Sequence, residues 1–93
     1  MKTKYELAIT GRFKKDLKLC IKRNLDISKL ESVVDTLLSG EPLPEKFKDH
    51  NLGGNWTGHR ECHIEPDWLL IYYIENKVLT LTLTRTGTHS DLF

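Results

Sequence analysis

Three of the four histidines in the 93-residue chain lie outside the regular apolar patterns that a packing role would explain. His50 lies in a segment typical of a loop, His63 lies at the end of a predicted strand before "EPD", and His89 lies in the last few residues. Imidazole is suited to moving protons near neutral pH, because its ordinary pKa is about 6.5. A histidine pair with a nearby carboxylate, Asp67, therefore predicts general acid–base catalysis. For any one of these histidines taken alone, an ordinary surface position is the alternative interpretation.

RNA cleavage is a reaction that needs such proton transfer twice. A base takes the proton of the ribose 2′-OH, and an acid protonates the departing 5′ oxygen. A cation must also stabilise the extra charge on the phosphorane, and the candidates are Arg85, Arg60, Lys46 and Lys48. Aromatic side chains can stack on a base, for which the candidates are Trp68 and Phe93. For Trp56 we favour packing in the core.

A metal site is the competing hypothesis, because His59, Cys62 and His63 lie close in sequence and include a thiolate donor. In a β-strand, alternate side chains point to opposite faces, which separates Cys62 from the two histidines. We therefore predict no metal and no cofactor. Cys20 and Cys62 lack the spacing of a disulfide framework and are predicted to be buried free thiols.

Length and composition predict one domain over residues 1–93 with a single modest core, since 39% of the residues are hydrophobic. The net charge of +1 gives little general attraction for nucleic acid, so any site for a polyanion must be local. Met1 to Lys4 lack the apolar core of a signal peptide, and the run Trp68 to Ile74 is too short to cross a bilayer. We expect a cytoplasmic protein without a membrane partner.

The first half of the chain predicts a short strand and two helices. Residues 5–9 are typical of a strand, and the apolar residues Phe13, Leu17, Cys20 and Ile21 recur at helical spacing with lysines on the opposite side. In "DISKLESVVDTLLSG", Ser28 and Glu31 have the spacing of a capping box and Gly40 marks a helix end.

The second half predicts a long loop followed by strands. "EPLPEKFKDHNLGG" contains two prolines, two glycines and no clear periodicity, and loops of this length are often functional. "NWTGHRECHI", "DWLLIYYI" and "VLTLTLTRT" predict three strands, with a tight turn at residues 75–77. These strands are expected to form an antiparallel meander beside the helical hairpin.

The segments "FKDHNLGGNW", "RECHIEPDWLLIYYI" and "LTRTGTHSDLF", in this order after a lysine-rich helical hairpin, closely resemble the YafQ branch of the RelE-type bacterial toxins. The resemblance spans essentially the whole chain. It implies an α+β fold, with two N-terminal helices packed on a small twisted antiparallel β-sheet. It also implies endoribonuclease cleavage of mRNA in the ribosomal A site without a metal, leaving a 2′,3′-cyclic phosphate and a 5′-OH.

The resemblance also assigns site residues. The proton-transfer and phosphate-binding cluster would comprise His50, His63, Asp67 and His89. The residues that position the nucleotide would be Trp68 and Phe93, and the tail would also contribute Arg85. Lys48 and Arg60 are further candidates for substrate binding because of their charge. Within the cluster, His89 is expected to be the general acid, His50 or Asp67 the base, and His63 the group that holds the scissile phosphate. The tail would then pack beside the sheet because its last residues complete the active site.

The implied partners are a cognate DinJ/RelB-like antitoxin, the 30S A site of the ribosome and mRNA, with operator DNA bound only through the antitoxin complex. The antitoxin is expected to cover the histidine cluster or to lie against the basic face formed by Lys14, Lys15, Lys18 and Lys22. A solvated helix face is the other interpretation of these lysines. Two other functions stay open: a non-catalytic antitoxin-binding or corepressor module, and a freestanding ribonuclease or metal-dependent hydrolase.

Overall fold

The computed structural model describes residues 3–93, so Met1 and Lys2, on which part of the signal-peptide prediction rests, lie outside it. Its regular elements are β1 (Glu6–Ile9), α1 (Gly11–Lys22), α2 (Ile27–Ser39), β2 (His50–Asn51), β3 (Arg60–Glu65), β4 (Trp68–Glu75), β5 (Thr80–Gly87) and α3 (His89–Leu92). A short 3-10 turn, Glu45–Phe47, and the strand β2 interrupt the segment that was predicted to be one long loop. A second 3-10 turn, Gly54–Trp56, occupies the start of the stretch that was predicted to be a strand from Asn55, so the strand β3 begins later than predicted. No helix in this part of the chain is both long and apolar enough to span a bilayer.

The five strands form one sheet in the order β1-β5-β4-β3-β2. The pairs from β2 to β5 are antiparallel, as the meander prediction requires. The edge strand β1 is parallel to β5, with Glu6 opposite Thr80 and Ile9 opposite Leu83. The α+β class is confirmed, but the prediction of a purely antiparallel sheet was wrong. A parallel pair requires a long crossover connection, and the helices provide the first part of it.

Both long helices begin at side-chain caps. The Thr10 hydroxyl accepts a hydrogen bond from the Phe13 backbone N–H at 3.0 Å and caps α1. Asp26 caps α2 by accepting from the Ser28 N–H at 3.1 Å, so the predicted capping box at Ser28 was wrong. The carboxylate of Asp26 satisfies a free N–H of the first turn, which places the helix start before Ser28. Gly40, with φ +81°, ends α2 as predicted.

The main core lies between the two long helices and one face of the sheet. Both cysteines are buried free thiols there, as predicted. The opposite face of the sheet has a much smaller apolar cluster, in which Leu92 of α3 packs on Leu69 and Ile71 of β4. This second face is otherwise available for polar side chains, and it carries the candidate site.

Candidate active site

Three histidines form a row across the second face of the sheet. The ring centroids of His50 and His63 are 6.2 Å apart, and those of His63 and His89 are 5.9 Å apart. His50 belongs to β2, His63 to the adjacent β3, and His89 to α3, whose Leu92 packs on β4. The strand order therefore places His63 between the other two. Residues separated by up to 39 positions in the sequence meet in one site.

Asp67 orients the ring of His89. Its Oδ1 lies 2.7 Å from His89 Nδ1 and also accepts the His89 backbone N–H at 3.0 Å. These hydrogen bonds from His89 hold the pKa of the Asp67 carboxyl below its ordinary value. An ionised carboxylate only accepts, so Nδ1 of His89 bears the proton in this contact. The other ring nitrogen, Nε2, is left for a substrate.

Glu61, which the sequence analysis did not select, lies between His50 and His63. Its Oε1 is 3.4 Å from His50 Nε2 and 3.7 Å from His63 Nε2, while its side chain is only 6% exposed. Within residues 3–93, its Oε2 is buried and has no hydrogen-bond partner. Strand alternation could have found it, because Glu61 and His63 are two residues apart in β3 and share a face. The buried carboxylate therefore contacts both rings from one side of the row.

The other nitrogens of these two rings face backbone carbonyls. His50 Nδ1 lies 2.6 Å from the Lys48 oxygen, and His63 Nδ1 lies 3.4 Å from the Pro66 oxygen. A carbonyl can only accept, so each Nδ1 is the protonated nitrogen in these contacts. Each Nε2 then faces the carboxylate of Glu61. The centre of the row therefore holds two imidazole nitrogens around one buried carboxylate.

Three of these side chains could also hold a metal ion, because one ligand atom each of His50, Glu61 and His63 lies within 4.8 Å of the others. This set differs from the metal hypothesis of the sequence analysis. Cys62 points into the main core, as alternation predicts, and burial raises the pKa of its thiol to about 12. Cys62 therefore points away from the face that carries His63, and His59, Cys62 and His63 do not converge on one point.

The structure argues against the expected contact of Trp68 with a nucleotide. Its side chain lies in the main core, the residue is 2% exposed, and its Nε1–H donates to the Thr86 hydroxyl at 3.0 Å. Phe93 is 61% exposed and meets Trp56 edge to face, with ring centroids 6.5 Å apart. Trp56, for which we favoured core packing, is half-buried against the small cluster of the second face. The aromatic side chains on this face that could contact a nucleotide are therefore Trp56 and Phe93.

The two arginines expected to bind phosphate instead make ion pairs within the fold. Arg85 contacts Asp16 of α1 at 2.7 Å, and both side chains are largely buried. Arg60 contacts Asp49 at 3.0 Å and donates to the Asn51 side chain at 2.8 Å. Their guanidinium groups are occupied by these carboxylates, which argues against a direct phosphate contact. Arg60 fixes the two residues on either side of His50 and therefore positions the strand β2.

Several contacts dock the tail that bears His89. Thr88 and Asp91 form a capping box, and Arg23 at the end of α1 contacts Asp91 at 2.7 Å. Hydrogen bonds from Arg23 and Thr88 lower the pKa of Asp91 to about 2. Gly87 allows the close approach, because a Cβ there would lie 2.8 Å from an Asp91 carboxylate oxygen. Together with the burial of Leu92, these contacts hold α3 against the sheet.

Comparison with known proteins identifies the family. Residues 5–93 match the family of bacterial toxins of type II toxin-antitoxin systems, YafQ. The chain belongs to the YafQ toxin family. It is 44% identical over 89 residues to the mRNA interferase toxin YafQ of Escherichia coli strain K12, with 95% of each chain covered.

Two solved structures extend the similarity to the YafQ fold. The E. coli DinJ-YafQ toxin-antitoxin complex contains a chain with a TM-score of 0.89 and 42% identity, covering 97% of this chain and 98% of that one. A metal-bound toxin from Helicobacter pylori gives a TM-score of 0.90 at 43% identity, covering 96% of this chain and 99% of that one. The α+β fold is thus that of YafQ structures.

Proposed function

We propose that this YafQ-family toxin is an mRNA interferase, an endoribonuclease that cleaves mRNA in the ribosomal A site and so inhibits translation. The observation that supports it most is the row of histidines, in which His63 lies between His50 and the Asp67-oriented His89. Cleavage by an in-line displacement needs a base and an acid on opposite sides of the phosphorus. The similarity to the E. coli mRNA interferase toxin supports the same activity.

In this mechanism His50 is the base. Its Nε2 takes the proton of the ribose 2′-OH, and the 2′ oxygen attacks the phosphorus. The proton that Nε2 gains lies beside the buried carboxylate of Glu61, 3.4 Å away, which stabilises the imidazolium that forms. His63, beside the same carboxylate, holds the scissile phosphate and its developing charge.

His89 is the acid. Its protonated Nε2 gives a proton to the 5′ oxygen as the bond from phosphorus to that oxygen breaks, leaving a 2′,3′-cyclic phosphate and a 5′-OH. Asp67 holds the ring through Nδ1 and keeps Nε2 directed at the substrate. Trp56 and Phe93 provide aromatic surface for the nucleotide on this side of the phosphate. Asp67 is thus an orienting group rather than the base.

The reaction needs no metal, because imidazole groups supply both proton transfers. A divalent ion held by His50, Glu61 and His63 would instead occupy the base and the phosphate-holding group. One relative of similar fold is described as a metal-bound toxin. Metal binding at these three residues would therefore inhibit cleavage.

We further propose a DinJ/RelB-like antitoxin as the partner, supported by the DinJ-YafQ complex of the E. coli relative. Lys14, Lys15, Lys18 and Lys22 are exposed on α1 and suit an acidic or amphipathic antitoxin segment. Operator DNA would be bound only through this complex. Charge reversal of Lys15 and Lys18 tests the surface by antitoxin titration, and unchanged affinity would remove α1 from the interface.

Primer extension on one mRNA, with and without ribosomes, tests the proposed function. With a net charge of +1 the protein has little general affinity for RNA, so the ribosome must present the mRNA. We expect defined cuts only when ribosomes are present. Efficient cutting of naked mRNA at physiological salt would indicate a freestanding ribonuclease. An absence of cuts in both arms would support a non-catalytic antitoxin-binding module.

A further inference from the structure

A cleft opens beside His63 on the side away from the tail. It lies between the start of α2, the turn Glu45–Phe47 and the end of β3, and its volume is about 490 Å³. This volume falls within the roughly 300–1,000 Å³ of pockets that bind small molecules. His63 belongs both to the wall of this cleft and to the histidine row. The cleft is therefore continuous with the candidate active site.

The lining has the two properties that recognise a nucleotide. Three lysines supply positive charge, namely Lys29, Lys46 and Lys48, and three residues supply apolar surface, namely Phe47, Ile64 and Pro66. The ammonium of Lys29 is 3.5 Å from Glu65, which reduces its contribution to the field. The ammonium of Lys46 lies 5.1 Å from the centroid of the Phe47 ring. A base packed on this apolar surface would have Lys46 close to its phosphate.

The order of the histidines fixes which nucleotide this is. Lys48 lines the cleft, and its carbonyl contacts the ring of His50, the proposed base. His89, the proposed acid, lies on the other side of His63. The 2′-OH belongs to the nucleotide on the 5′ side of the scissile phosphate, whereas the leaving 5′ oxygen belongs to the nucleotide on the 3′ side. The nucleotide whose 2′-OH gives its proton to His50 must therefore extend toward the cleft.

We propose that this cleft binds the mRNA nucleotide on the 5′ side of the scissile phosphate, with its base against Phe47 and its own 5′ phosphate near Lys46. The proposal rests on the proposed function for its direction along the RNA. It makes Phe47 and Lys46 residues that bind and select the substrate, whereas Trp56 and Phe93 face the nucleotide on the 3′ side.

Two mononucleotides test this direction without any cleavage. Adenosine 3′-monophosphate has the phosphate of a 5′-side nucleotide, and adenosine 5′-monophosphate has that of a 3′-side nucleotide. In amide NMR titrations of the wild-type protein, both should shift His63. The 3′-monophosphate should shift Phe47 and Ile64 and leave Phe93 unchanged, and only the 5′-monophosphate should shift Phe93. The proposal would be overturned if the 3′-monophosphate shifted the amide signals of the tail but none in the cleft, or if it shifted no signals at all.

Substitutions then connect the cleft to cleavage. Phe47→Leu keeps an apolar side chain against the core but removes the ring, and it should raise KM for ribosome-bound mRNA roughly 5-fold or more with little change in kcat. Lys46→Ala should weaken binding of adenosine 3′,5′-bisphosphate, which carries the 5′ phosphate assigned to Lys46, whereas Lys77→Ala, at an exposed position in the β4–β5 turn, is the matched control. Equal effects of the two lysine variants would refute a specific role of Lys46.

The nuclease activity and the nucleotide site in the cleft can be refuted separately. If the wild-type protein cuts no mRNA but the 3′-monophosphate still shifts the amides of the cleft and the 5′-monophosphate those of the tail, the proposed function is wrong. The cleft is then still a nucleotide-binding site. If cleavage occurs and the Phe47 and Lys46 variants match wild type in KM, the function stands and the cleft proposal is wrong. Circular dichroism of each variant shows whether the fold is retained.

Discussion

Loss of the Asp91 carboxylate should loosen the tail and slow cleavage without unfolding the domain. Asp91 accepts hydrogen bonds from the Arg23 guanidinium and from the Thr88 N–H, and both contacts hold α3. Asp91→Asn keeps the size of the side chain but removes its charge. A helix of four residues is not stable by itself, so its position depends on such anchors. His89 would then spend less time beside Asp67.

The expected magnitude follows from the pKa of Asp91, which is lowered from 3.8 to about 2. That difference corresponds to roughly 2 kcal/mol at most. Arg23 is 40% exposed, and solvent screening reduces the contribution to about 1 kcal/mol. Because the folded pKa lies below the ordinary value, this stabilisation is complete above pH 3.8. It is lost as the pH falls from 3.8 toward 2.

Hydrogen exchange of the Phe93 amide reports the docking of the tail, because this amide donates to the His89 carbonyl at 2.9 Å. A loss of about 1 kcal/mol should accelerate its exchange roughly 5-fold at neutral pH. Cleavage of ribosome-bound mRNA should fall by up to the same factor. Glu75→Gln, at the exposed end of β4, is the matched control. Wild-type exchange in folded Asp91→Asn would refute the anchoring role.

Two further predictions concern Arg85, whose expected role the structure revises, and Glu61, which only the structure places in the site. Arg85→Ala leaves the largely buried Asp16 without its partner and should cost roughly 3–5 kcal/mol of unfolding free energy in denaturant melts. If the Arg85→Ala protein lost activity but kept its denaturation midpoint, Arg85 would instead be a residue that contacts the RNA. Micromolar Zn²⁺ should inhibit cleavage reversibly, with recovery in EDTA, and Glu61→Gln should weaken the inhibition about tenfold or more. Equal inhibition of both proteins would place the ion elsewhere.

Local patterns were sufficient for most of the elements. The helical spacing of apolar residues predicted α1 and α2, and alternation in "VLTLTLTRT" predicted β5. The parallel pairing of β1 with β5 joins residues more than 70 positions apart, and no local pattern contains that information. The short strand β2 has only two residues and owes its existence to the pairing of His50 with Glu61.

The functional side chains were harder to predict, because residue type does not reveal which face of a strand is available. In β4, Trp68 and Leu69 point to opposite faces and both are buried, so alternation could not show that the indole faces the main core. Arg85 was chosen for its charge, but its partner Asp16 lies 69 residues away. Glu61 was overlooked because a single acid in a strand is ordinarily a solvated residue.

The acid role of His89 is the central claim, and single-turnover cleavage of ribosome-bound mRNA by His89→Ala tests it most directly. Loss of a positioned general acid should slow the cleavage step by roughly 10² to 10⁴ fold. The fold and the antitoxin affinity should be retained, because the His89 side chain is 55% exposed. Circular dichroism and antitoxin titration serve as the controls. A folded His89→Ala protein that cleaves at the wild-type rate would contradict the account and transfer the acid role to His50 or His63.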